Sequence, residues 1–399
     1  MLCGIRKGFF GTVINRKHSN YLYIVVLGLA IFGLGVPSFG KLLNYYINDV
    51  VSYNEWTPEL GNEFETNIAS TFYKKMWFVN INGAIRNVLN QPEMNGVIKL
   101  NNGYLLSPMD KCSDEKINEC VDNTATFNEY LQEKGIQLVY AATPYTCSKY
   151  DDELPKGIED YGNSNVDRLV SGMREAGIDT IDFREEMHDD DIDQYDMMYR
   201  TDHHWTTEAG FYAYGVLEDY IQDKTGCDVD SRISDISNYT VTRYNKWHLG
   251  SNGQRTGIYY AGIDDFDLIL PDFNTRLQDA NGNVGTMQEM MINTDPLKVK
   301  DYTSRYTYDF VLGKTLGQYV NLEAKNDVKL LVITDSFGKA VNQYLSLGFK
   351  EVYFVDNVNV SSITPELIES YKPSVVIMLY YSGAISDDSV SYLFSGFDN

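Results

Sequence analysis

Residues 199–210 of the 399-residue chain read YRTDHHWTTEAG and set an Asp, two His and a Trp side by side. The chain has five His in all, and two of them stand here. An imidazole beside a carboxylate can act as a general base whose tautomer the carboxylate fixes. The same residue types can hold a metal ion, or form a polar corner ahead of a helix. Base chemistry needs a nucleophile from elsewhere in the chain.

Residues 328–340, VKLLVITDSFGKA, offer one. An apolar run, Val328 to Ile333, leads into Thr334, Asp335, Ser336, Phe337 and Gly338 and then a helical pattern. A Ser so placed stands at the carboxyl edge of a sheet, where open α/β folds put their ligands. Backbone N–H groups of Ser336 and its neighbours Phe337 and Gly338 could donate to an oxyanion, and Gly338 permits close backbone approach. Taken alone, Asp and Ser at this position read better as helix caps. Paired with residues 202–204, the case strengthens. Asp202 and His204 are two apart, so in an extended segment they point to one side. Asp202 can then hold one ring nitrogen of His204 while the other faces Ser336. By the same alternation His203 faces away from Asp202, as a supporting group, and Trp205 walls the pocket or packs in the core.

The surrounding patterns say what positions these residues. Helical EKINECVDNTATFNEYLQEKG is followed by the apolar run IQLVYAATP, then helical NVDRLVSGMREAG and the strand-like IDTIDF. Thr206 reads as an N-cap with Glu208 in the first turn, so Asp202 to Trp205 occupy the loop ahead of a helix. Strand and helix alternate again from residue 327 to 381. The expected fold class is therefore α/β, a doubly wound parallel sheet with helices on both faces. Residues 228 to about 325 lose the alternation and read as a β or irregular insertion. Within it, DANGNVG (279–285) is better explained as a hairpin turn than as a calcium loop, lacking the glycine and glutamate such loops need.

Net charge is −23, with 31 Tyr. So acidic a chain repels phosphate backbones, which excludes nucleic acid as an expected partner. Residues 1–20 are basic and free of acids, and residues 21–40, YLYIVVLGLAIFGLGVPSFG, carry no charge. That length matches the ~20 apolar residues that cross a bilayer. Basic flank first and acidic chain after it predict a single-pass anchor with a cytoplasmic tail at 1–20. Residues 41–110 read as a helical approach segment and a hairpin turning at Asn101 to Gly103. The remainder, 111–399, reads as one extracytoplasmic domain. Cys112, Cys120, Cys147 and Cys227 would lie outside, with pairing open and Cys112 with Cys120 able to close a small loop.

D-x-H-W ahead of a helix, with a later strand, Asp-Ser and helix, resembles the DHHW proteins and the alginate O-acetyltransferase group. These are membrane-anchored proteins of the SGNH-hydrolase-like superfamily, with a flavodoxin-like sheet. The hairpin NGVIKLNNGYLL and the loop HLGSNGQRTGIYYAGIDDF share in the resemblance. It implies Ser336 as nucleophile, His204 as base and Asp202 as its orienter. It further implies acetyl transfer to a polysaccharide acceptor outside the cell, with a polytopic membrane O-acyltransferase supplying the acetyl group and no cofactor. One departure stands out: Thr334 occupies the place of the usual Gly before Asp-Ser.

Three rival readings stay beside this one. A metal site would take Asp202, His203 and His204 and recruit His248 or His188, although adjacent His rarely converge on one ion. A non-catalytic polysaccharide-binding subunit would suit the acidic, Tyr-rich composition, and an acetylesterase would use the same machinery with water as acceptor. Arg255 offers a planar fork for a sugar carboxylate and Tyr259 a face for a sugar ring. Pairing with local acids and strand packing explain these two equally well.

Overall fold

The computed structural model describes residues 74–397 apart from 303–305, 315, 382, 384 and 387–389, together with residues 25, 28, 32, 33 and 36–39. The expected tail at 1–20 and most of the expected anchor at 21–40 lie outside the described residues. Among the described residues no helix is long and apolar enough to cross a membrane. The chain divides into two compact units, residues 1–79 and 80–399, and the second carries the elements that position the site.

Helix α1 (Lys75–Val88) leads to a small antiparallel sheet of β1 (Glu93–Met94), β2 (Val97–Lys99) and β3 (Leu105–Leu106), the expected hairpin with one added strand. Then come α2 (Asp114–Glu133), β4 (Gln137–Ala142), α3 (Gly162–Glu175), β5 (Asp179–Asp182), α4 (Phe183–Asp189) and α5 (Thr207–Thr225). The helix limits follow their signals. Ser113 caps α2 by accepting from the Lys116 N–H, and Thr206 caps α5 by accepting from the Ala209 N–H.

The main sheet has eight strands in the order β5, β4, β13 (Val375–Tyr380), β11 (Lys329–Thr334), β12 (Glu351–Asp356), β10 (Gly317–Asn321), β8 (Leu277–Asp279) and β9 (Val284–Gly285). The first five are parallel. Alternate residues of the central strands feed two cores. Leu330, Val332 and Ile377 pack on one face, and Leu331, Ile333 and Met378 on the other. Burial on both faces is why VVIMLY and LLVI read as unbroken apolar runs.

The expectation of a parallel sheet is corrected at its far edge. β10, β8 and β9 join β12 in antiparallel register, so the sheet is mixed. These strands come from the stretch read as an insertion, where short polar runs hide them. They cover the open edge of β12, which would otherwise present unpaired backbone. DANGNVG is the β8–β9 turn, held by the Asp279 side chain accepting from the N–H groups of Asn281 and Asn283. The same stretch builds a two-stranded arm of β6 (Tyr239–His248) and β7 (Asp264–Pro271), with α6 (Ser251–Thr256) and α7 (Ile258–Ala261) between them. After α8 (Met287–Met291) and α9 (Thr307–Leu312), the α/β pattern resumes with α10 (Asn342–Gly348) and α11 (Pro365–Tyr371). Cys120, Cys147 and Cys227 are free thiols, so no disulfide closes a loop between Cys112 and Cys120.

Candidate active site

β11 ends at Thr334, and the chain turns at once into a single helical turn, residues 336–340. The turn forms because the Asp335 carboxylate accepts from the Phe337 N–H at 2.9 Å, as a capping residue does. Its other oxygen accepts from the Tyr381 N–H at 2.6 Å, just past the end of β13. Asp335 thus ties the carboxyl ends of two neighbouring strands together. Burial pushes its carboxyl up to about 6, the two backbone bonds offsetting this only in part.

Ser336 projects from this turn toward the loop ahead of α5. His204 Nε2 lies 2.6 Å from Ser336 Oγ, joining residues 132 apart in sequence. His204 Nδ1 is 3.3 Å from Asp202 Oδ2, a contact poorly aligned for a hydrogen bond. Asp202 and His204 are both buried. The structure therefore brings Ser336, His204 and Asp202 together in a chain of contacts. The loop is bent rather than extended, which corrects the alternation expected for His203. Its ring does not face away: Nδ1 sits 3.1 Å from Asp202 Oδ1 and 2.9 Å from Ser251 Oγ.

Trp205 is fully buried, and its Nε1–H donates to the Phe337 carbonyl at 2.9 Å. It packs in the core and also fixes the Ser336 turn. Phe337 stacks on Tyr381 at 4.5 Å between centroids. The N–H groups of Phe337 and Gly338, expected to face an oxyanion, are engaged by the Asp335 side chain and carbonyl. Of the amides of Ser336, Phe337 and Gly338, that leaves Ser336's. Gly338 serves another end. A Cβ there would lie 2.3 Å from Thr334 Oγ1, so its bare backbone makes room for the Thr that replaces the usual Gly.

Arg255, on α6, is committed to structure. Its guanidinium donates to Ser107 Oγ at 2.8 Å and to the Asn95 carbonyl at 2.7 Å, clamping α6 onto the small sheet. Tyr259 on α7 is 61% exposed, which leaves its ring face accessible. His188 stacks on Tyr150, with ring centroids 3.8 Å apart. The ligand atoms of Asp202, His203 and His204 lie within 4.8 Å of one another, so this trio could hold a metal ion. An ion on His204 Nε2 would displace its contact with Ser336, and one on the Asp202 side would compete with the donors already there.

Charge follows burial and neighbours. Burial alone would raise the Asp202 carboxyl, but the facing His204, His203 and His248 outweigh it and hold the group well below the usual range. Burial lowers His204 below its ordinary value, against the pull of Asp202, and neighbouring His203 adds to the lowering. His203 goes the other way, since Asp202 overcomes the cost of burying it. An ionised carboxylate, a neutral imidazole and a hydroxyl in contact can move a proton from Ser336 to His204.

Residues 104–232 match the family model described as SGNH hydrolase-like domain, acetyltransferase AlgX. The chain resembles the AlgX-type SGNH hydrolase-like proteins. The matched region of this AlgX-like chain holds Asp202 to Trp205 but stops short of Ser336. Its fold is similar to that of Bacillus cereus PatB1 with a sulfonyl adduct, with TM-score 0.58 and 18% identity over 76% of this chain and 98% of that one. A DHHW family protein from Eubacterium siraeum is similar too, with TM-score 0.50 and 16% identity over 75% of this chain and 96% of that one. At such identities the likeness is one of fold. No curated protein sequence matches the chain.

Sequence reasoning missed Tyr308 and Ser251, and offered His248 only as a possible metal ligand. Tyr308, on α9, lies on the His204 ring, and His248 and Ser251 surround Asp202. The HLGSNG string was the available signal for the second group. Nothing marks Tyr308 among 31 tyrosines.

Proposed function

We propose that this protein is an extracytoplasmic O-acetyltransferase that moves an acetyl group to hydroxyls of a polysaccharide. Ser336 Oγ attacks the acetyl carbonyl of a donor ester as His204 Nε2 takes its proton. Asp202 stabilises the imidazolium, and the Ser336 N–H at the turn donates to the oxyanion. Collapse expels the donor's alcohol, which recovers the proton from His204 and leaves acetyl-Ser336. A sugar hydroxyl, deprotonated by His204, then attacks that ester, and Ser336 leaves with the proton returned. The observation that carries this reading is the 2.6 Å approach of His204 Nε2 to Ser336 Oγ at the carboxyl edge of the sheet.

The acetyltransferase description of the matching family model and the sulfonyl adduct on PatB1 are in keeping with acyl chemistry at such a site. On this reading residues 21–40 anchor the chain in the membrane, and a polytopic O-acyltransferase hands over the acetyl group. Tyr259 is the residue offered to a sugar ring.

The test follows acetate release from an activated aryl acetate by the full chain, with and without short glycans and with Ser336→Ala as control. Transfer requires acetyl on the glycan and its loss, by at least about 10³-fold, in the variant. Release without glycan acetylation would make the protein an esterase. Turnover that ignores Ser336 would overturn the assignment.

A further inference from the structure

Asp202 is held by more than the base it is read as serving. Its Oδ1 accepts from the His203 N–H at 2.8 Å, from the Ser251 hydroxyl at 2.9 Å and from the Ser251 N–H at 3.3 Å. Its Oδ2 is 3.0 Å from His248 Nε2, closer than the 3.3 Å to His204 Nδ1. Three of the chain's five His therefore converge on one carboxylate. His248 is fully buried at the end of β6, its ring 4.5 Å from that of Tyr199. Between it and Ser251 stands Gly250, where a Cβ would lie 2.2 Å from the Asp202 Cβ. Residues 248–251 thus wrap the carboxylate closely enough that only a glycine fits between the two donors.

We infer that His248 is a positioning residue: its Nε2–H holds Asp202 Oδ2 ionised and aimed at the ring of His204. This rests on the reading of Ser336 and His204 as nucleophile and base. A carboxylate in a buried site needs every lone pair answered, and one that orients an imidazole must also keep from rotating. The collar does both. Oδ1 is fixed by Ser251 and the His203 amide, so the carboxylate plane is set. Oδ2 is then shared between two imidazoles. His248 fills that oxygen with a proton that does not travel. The His204 contact, longer and off line in the resting site, tightens when His204 takes up the Ser336 proton and becomes a charged donor.

The experiment uses the full chain and an aryl acetate, comparing wild type with His248→Phe, His248→Asn, His248→Gln and Ser336→Ala. Phe keeps the ring packing and removes the donor, Asn has a donor too short to reach, and Gln restores one at comparable reach. The inference expects kcat to fall about 10-fold to 100-fold in the Phe and Asn variants, with KM within about twofold. Gln should recover most of the loss. A low-field proton NMR signal of the His204 Nδ1–H should persist in the Gln variant and shift in the other two. If Phe does not fold, Asn carries the comparison. Wild-type kcat in a folded variant lacking the donor would overturn the role of His248, and so would a folded Gln variant as slow as Asn. Full activity in Ser336→Ala is a separate outcome that removes the underlying reading instead.

Discussion

The Tyr308 ring lies along the His204 imidazole, with centroids 4.4 Å apart and planes 20° from parallel. Its hydroxyl donates to the carbonyls of Ser336 and Phe337, at 3.1 and 3.2 Å. One side chain therefore sets both the base and the turn that carries the nucleophile. Tyr308→Phe keeps the ring and loses the hydroxyl. Chemical denaturation should show a loss of about 1 to 2 kcal/mol, with kcat reduced only several-fold. Tyr308→Ala also frees the imidazole to tilt, and should cost at least tenfold more in kcat than Phe does. Equal kcat in the two variants would sink this role for the ring.

The acid limb of the kcat/KM profile distinguishes the two adjacent His. His204 must be neutral to take the Ser336 proton, and burial lowers it below the ordinary value of about 6.5. Activity should therefore persist as pH falls through 6.5 and fail only below it. His203 is raised by Asp202, so a limb above 6.5 would mark His203 as the base instead. His203→Gln should leave the limb on the acid side of 6.5. Its cost in rate should stay well short of that of His204→Gln.

The line between legible and illegible follows the type of element. Asp202 to Trp205 and Asp335 to Ser336 stand where an apolar period breaks at a cap, Thr206 in one case and Asp335 in the other, so both can be located from pattern alone. The parallel strands β4, β11 and β13 are legible for the same reason, being apolar on both faces. The collar lies in a polar stretch without period, and His248 meets Asp202 across 46 residues. Only the folded arm brings them together. β10 escapes notice because GQYVN is short and half polar, and it forms a strand only against the edge of β12. The bend at residues 201–204 defeats the alternation argument for His203, since the period of two applies only while the backbone stays extended.

Thr334 and Gly338 should behave as a pair. Thr334 Oγ1 donates to the Leu379 carbonyl at 3.0 Å, linking β11 to β13 beneath the site, and it fills the space where a Gly338 Cβ would fall. Gly338→Ala alone should destabilise the protein by roughly 1 to 3 kcal/mol, as overpacking does. In a Thr334→Gly background the added methyl has room, so its cost should shrink by at least about 1 kcal/mol. Denaturation of the two single variants and the double measures that coupling. Strict additivity would mean the turn relieves the clash elsewhere.

Asp335 gives the stability curve a slope of unusual sign. Burial raises its carboxyl to about 6 in the folded protein, against an unfolded value near 3.9. Between these values the native state binds more protons than the unfolded chain, so stability falls as pH rises across the window. Most carboxylates in ion pairs act the other way, being lowered by folding. At about 1.4 kcal/mol per decade of pH where only the native state is protonated, Asp335 should contribute a decline of about 2 kcal/mol between pH 4 and 6. Asp335→Asn removes the titration. Its amide oxygen can still accept from the Phe337 N–H, but its NH2 would then face the Tyr381 N–H. The variant should therefore be less stable than wild type at pH 4, and the gap should narrow by about 2 kcal/mol as pH rises to 6. A gap that stays constant across this range would show that Asp335 titrates as an ordinary carboxylate, despite its burial.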